Sequence, residues 1–146
     1  MRFKAAAITA TALCLGFAAV AIAQETPQAK REQLMKQVGG AMATLGGIAK
    51  GEKPYDEAAV RTALTAVSTN LKAFPDQFPA GSEVDSAAAP AIWQNTEDFR
   101  SKALALAEKA DTALASFPAD QAGVGAAMQS LGSSCGDCHQ TYRLKR

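Results

Sequence analysis

Cys135 and Cys138 are separated by two residues, and His139 follows at once, in the run Cys135-Gly136-Asp137-Cys138-His139. This is C-x-x-C-H, the attachment signal for a c-type haem. The two thiols can form thioethers with the two vinyl groups of a porphyrin. The imidazole is then placed to ligate the iron. His139 is the only histidine in the chain, so no second imidazole competes for that role. On a helix, positions i and i+3 share a face. Cys135 and Cys138 can therefore clasp one porphyrin edge while His139 reaches the metal.

Other chemistries fit these residues less well. A thioredoxin-like C-x-x-C wants a strand before it and a helix N-terminus at the first cysteine, and here a helical pattern precedes the motif. A structural zinc site takes four protein ligands. Two cysteines and one histidine would leave the fourth position to a carboxylate or water. A bare disulfide does not require the histidine. A haem-free thiol or zinc-binding module is the alternative of a different class.

The first residues read as a secretory signal, residues 1–23. Arg2 and Lys4 form a basic start, residues 5–20 carry no charge, and Ala21-Ile22-Ala23 offers an A-x-A cleavage site before Gln24. The apolar run is short for a membrane span of about 20 residues. Cys14 leaves with the signal, so Cys135 and Cys138 are the only cysteines of residues 24–146. Those residues suit a single domain with one core. Loss of Arg2 and Lys4 leaves 13 basic against 14 acidic side chains. A chain so nearly neutral lacks the basic stripe of a nucleic-acid binder. No membrane span is expected after signal removal.

Four amphipathic segments must position the motif. The first begins at Thr26 as N-cap with Pro27 at the first helical position. Leu34, Val38, Ala41, Leu45 and Ile48 form its stripe, with Met35 and Met42 on the flank. Gly51 and Pro54 stop it. Asp56 caps the second, whose stripe is Val60, Leu64, Val67, Leu71 and Phe74. A long connection follows, from about Pro75 to Ala91, either functional or packed over something. The third runs from about Thr96 to Ser116, with Phe99, Ala103, Leu106, Ala110, Ala113 and Phe117 as its stripe. Asp120 caps the fourth, where Val124, Met128, Leu131, Cys135, Cys138 and Tyr142 step by four, three, four, three and four. The stripe passes straight through both cysteines, which places them on the core face of a helix. The fold class is all-α, an antiparallel four-helix bundle with covalently bound haem.

A second axial ligand must come from another helix. Met128 shares the helix of His139 and suits core filling. Met35 and Met42 lie on one side of the first helix, where a methionine serves as core or as ligand. Arg31 stands one turn before Met35 and could reach a haem propionate. Arg143 stands four residues after His139 and could meet a propionate or lie over the imidazole edge. Each arginine could equally be a solvated helix-end charge.

With these features in hand, the chain resembles the class II c-type cytochromes, the cytochrome c′ group. Arg31-Glu32-Gln33-Leu34-Met35-Lys36 looks like the family's first-helix motif. Lys50-Gly51-Glu52-Lys53-Pro54-Tyr55-Asp56 matches its first interhelical turn. Phe78-Pro79 and Pro90-Ala91-Ile92-Trp93 match its long loop, and Cys135 to His139 followed by Tyr142-Arg143 its haem helix. The resemblance implies one covalent haem c in an exported, periplasmic protein, and dimerisation through the first two helices is common in the family. Lys36 and the Gly-Glu-Lys-Pro-Tyr-Asp turn look most like the low-spin branch, in which a methionine at the position of Met35 is the sixth ligand. The implied function is transfer of single electrons to and from an unidentified redox protein, with no substrate turnover. In the family's other branch the iron is five-coordinate and binds NO or CO at an open distal face.

Overall fold

The computed structural model describes residues 25–84 and 86–145. The expected signal segment lies outside them. Among the described residues five helices follow in order: α1 (Pro27–Ala49), α2 (Glu57–Ala73), a single-turn α3 (Ala91–Gln94), α4 (Thr96–Ala115) and α5 (Gln121–Tyr142). The four long ones make the bundle, α1 packing on α2 and α5, and α4 on α2 and α5.

The ends of these helices are set by short polar side chains. Thr26 accepts from the Ala29 amide at 3.1 Å, with Pro27 next in the chain. Asp56 accepts from Ala59 at 2.7 Å and Asp120 from Gly123 at 2.8 Å, each satisfying an amide that the helix itself leaves unpaired. Gly51 adopts φ of +74° just after α1, a conformation that favours glycine and turns the chain toward α2. Glu97 and Asp98 place negative charge at the first turn of α4, where the helix dipole favours it.

The bundle is packed at one end and open at the other. Leu45, Ile48, Val60, Leu64, Val67, Ala110, Val124 and Leu131 are almost wholly buried and form one apolar cluster. Burying each of the larger of these side chains contributes about 1.5–3 kcal/mol. Toward the other end, Ile92, Phe99 and Tyr142 form a second, smaller cluster with Phe74, Phe78 and Trp93 against it. Its rings meet edge-on: Phe78 is 4.8 Å from Phe99, and Phe99 is 5.3 Å from Tyr142. Edge-to-face contact at this distance is the favoured aromatic geometry.

The long connection is not bare. It opens with a 3₁₀ turn over Phe74–Gln77 and closes with α3. Between them its chain is tied at two points, to α1 through Arg31 and to the end of α5 through an isolated backbone bridge between Ala88 and Arg143.

Candidate functional site

A cavity of about 610 Å³ occupies the open end of the bundle. Its walls are the N-terminal half of α1, the end of α2, the N-terminal half of α4 and the C-terminal half of α5. That volume lies within the range of pockets that hold small molecules and cofactors. Cys135, Cys138 and His139 line one side from α5, and Met35 lines it from α1. Two helices distant in sequence are thus brought to one space by the bundle.

The helix α5 runs unbroken through the motif, so Cys135 and Cys138 sit one turn apart as the stripe requires. Both thiols are free and half-buried. Burial pushes both of them up, and for Cys138 the nearby Lys102 opposes the shift. His139 lies at the open side of the cavity. Partial burial lowers its basicity, and the adjacent Arg143 charge lowers it further.

Apolar walls close the rest. Leu71, Ile92, Phe99, Ala103 and Leu106 face the cavity. Gly39 on α1 and Gly132 on α5 also line it, and a Cβ built at either meets nothing within 4 Å. These helices therefore leave room for a flat group between them. The donor set suits haem c: two thiols one turn apart, an imidazole beside the second, and a thioether on a different helix. Among the described residues no three His, Cys, Asp or Glu side chains converge closely enough to hold a metal ion directly.

Met42 lines the cavity as well, one stretch further along α1 than Met35. Met128 does not. Its methyl group packs 3.6 Å from the Cβ position of Gly46, within the apolar cluster, as the sequence pattern suggests.

The two arginines are placed differently from each other. Arg31 lines the cavity and is only 4 % exposed. Both its terminal nitrogens are turned to the long connection: Nη1 donates to Gln77 O at 3.0 Å and Ser82 Oγ at 2.9 Å, and Nη2 to Ser82 O at 2.7 Å and Ser86 Oγ at 3.2 Å. Its guanidinium lies 4.7 Å from the Phe78 ring centre. Burial lowers its pKa, and the carboxylates of Glu32 and Glu83 oppose that shift. Arg143 stands beyond the end of α5 and not one helical turn after His139. Its backbone is extended, at φ −121° and ψ 130°, because it pairs with the long connection. It lines the cavity mouth and is exposed. Lys36 and Lys102 line the same mouth, and none of these three cations forms an ion pair among the described residues.

One part of the site has no counterpart in the sequence reading. The Tyr142 hydroxyl donates to Asp98 Oδ2 at 2.5 Å, joining the end of α5 to the start of α4. The spacing of Tyr142 after Cys138 marked it as core-facing, but nothing local marked Asp98 as its acceptor.

Residues 26–143 match the family model described as Cytochrome C′. Cytochrome c-556 from Agrobacterium fabrum is 58 % identical over 148 residues, spanning all of both chains. An NMR-validated model of oxidised cytochrome c556 from Rhodopseudomonas palustris has a TM-score of 0.75 at 36 % identity, covering 84 % of this chain and 99 % of that one. Cytochrome c′ from the same organism has a TM-score of 0.79 at 32 % identity, with the same coverage.

Proposed function

This chain belongs to the cytochrome c′ family, and we propose that within it His139 and Met35 ligate the iron of a haem c held by Cys135 and Cys138. The protein is an electron-carrying c-type cytochrome with one covalent haem, and not an enzyme. The observation that carries the ligation is the cavity itself: it is lined by Cys135, Cys138 and His139 from α5 and by Met35 from α1.

When bound, haem c supplies an iron centre that takes up and releases one electron. The chain's residues set how that happens. Cys135 and Cys138 fix the macrocycle to α5, so it does not dissociate. His139 and Met35 would present nitrogen and thioether ligands, a pair that would favour low-spin iron. Electron exchange would then need little rearrangement, and methionine ligation would raise the potential. Leu71, Phe99, Ala103 and Leu106 keep water from the ring. Arg143 at the mouth would be available to balance a propionate charge, with Lys36 and Lys102, which form no ion pair among the described residues, beside it.

The same reading has residues 1–23 as a cleaved signal that delivers the chain to the periplasm as a single domain over residues 24–146. Among the described residues no helix is long and apolar enough to cross a membrane. The electron donor and acceptor are redox proteins that approach the cavity mouth. A second copy packs through α1 and α2, where Gly40, Thr44, Ala59 and Ala63 line a shallow groove of small side chains. Sedimentation of the mature protein tests that pairing.

The visible spectrum of the haem-loaded protein tests the ligation. Sharp reduced α and β bands, a weak long-wavelength sulfur-to-iron band when oxidised and no response to CO are expected. Met35→Ala removes the sulfur band, turns the iron high-spin and admits CO. A wild-type spectrum that is already broad and shifts with CO assigns the protein to the five-coordinate, gas-binding branch.

A further inference from the structure

We propose that Arg31 is a positioning residue: it straps the 77–89 connection between α1 and α5, and so sets the gap across which Met35 faces His139. The proposal rests on the His139/Met35 ligation proposed above.

A guanidinium that is 4 % exposed is costly unless its donors are satisfied. No carboxylate pairs with Arg31 among the described residues. Its four terminal donor bonds all go to one segment, at Gln77, Ser82 and Ser86, and the Phe78 and Trp93 rings flank it at 4.7 and 6.0 Å. That segment continues directly to a second anchorage. Ala89 donates to Tyr142 O at 3.0 Å, and Leu144 donates to Ala87 O at 2.9 Å.

The two anchor points have a specific relation to the axial pair. Arg31 lies one turn before Met35 on α1, and i and i+4 share a face. Tyr142 lies close to one turn after His139 on α5. The connection therefore runs from the turn beside one ligand to the turn beside the other. At the packed end of the bundle apolar side chains fix the helix spacing. At the cavity end the smaller cluster of Ile92, Phe99 and Tyr142 packs under the connection, and the strap ties α1 to α5 across it.

Arginine is suited to this by shape. Its planar fork reaches separate acceptors with two terminal nitrogens, whereas lysine has a single point charge. With those nitrogens committed to the connection, a propionate would have to displace existing bonds to be held by them.

The test uses the haem-loaded full protein and the variants Arg31→Met, Arg31→Lys and Ser82→Ala/Ser86→Ala, with Met35→Ala for comparison. Arg31→Met keeps most of the stem and removes the donors. For each, the oxidised sulfur-to-iron band, CO uptake by the reduced protein and helix content are read well below the unfolding temperature. Arg31→Met should lose most of the sulfur band and gain CO affinity by roughly tenfold or more, in step with the fraction of molecules whose distal face has opened. Arg31→Lys should restore part of the band, and the double serine variant should fall between wild type and Arg31→Met.

If Arg31→Met keeps the full band and stays inert to CO, the proposal is overturned. A lowered melting temperature alone would then mean general support, and a shifted potential alone would mean a propionate contact. If Arg31→Met does not accumulate, the serine variant, which leaves the two carbonyl acceptors in place, decides by the same readouts. A wild type lacking the sulfur band overturns the axial assignment and this proposal with it. A wild type with the band and an unresponsive Arg31→Met overturns only this one.

Discussion

Cys135, Cys138 and His139 keep their proposed chemistry local: about one helical turn of α5 carries the attachment pair and the imidazole. Spacing left Met35 and Met42 both open as ligand or core, both line the cavity, and the proposal of Met35 rests on the family resemblance. Tyr142 and Asp98 show what local spacing cannot supply, a hydrogen bond between residues 44 apart in sequence. That bond has a pH signature. The hydrogen bond to Asp98, and then burial, push the Tyr142 hydroxyl up to about 12 from an ordinary value of 10.0. The folded state thus holds this proton more tightly than the unfolded state does. The associated stability is fully present below pH 10 and is lost as pH rises toward 12. Denaturant melts of wild type and Tyr142→Phe should reveal this. The variant is less stable below pH 10, and the gap between the two narrows as pH approaches 12.

Among the elements, α5 was the most readable. Its stripe keeps one period from Val124 to Tyr142, and the structure makes it a single helix over that length. The caps were equally readable, because Thr26, Asp56 and Asp120 act on amides only a few residues away. Asp120→Ala should lower stability by about 1 kcal/mol in urea unfolding. The haem spectrum should stay unchanged, because that cap lies at the packed end. The helix α3 was missed, since four residues carry too little period to see. The connection around it was recognised as long, yet its anchorage was hidden. Most of the atoms that tie it down are backbone groups of Gln77, Ser82, Ala87 and Ala89, which no side-chain pattern marks. The end of α5 was misjudged for the same reason: pairing with Ala88 draws Arg143 out of the helix.

Taken whole, the molecule joins an apolar core to a cavity walled by all four long helices. The four-helix architecture followed from the apolar stripes. Its asymmetry did not, because stripes of similar strength run through both halves. Leu64, wholly buried in the packed half, should cost about 2–5 kcal/mol on replacement by alanine, read from urea unfolding of the haem-loaded protein. In a Cys135→Ala/Cys138→Ala chain that cannot hold haem covalently, hydrogen exchange should stay slow around Leu45, Ile48, Leu64 and Val124. It should become fast around Met35, Phe99 and Tyr142, whose packing depends on what fills the cavity. The open end also bears on biogenesis. The chain order delivers α1, α2 and α4 before α5, so three walls exist when the cysteines arrive. In the finished bundle both thiols are half-buried on the cavity wall, so covalent attachment should be easier before α5 seats. Maturation is then a race between seating and ligation, and a substitution that tightens the empty bundle would lower the yield of coloured protein.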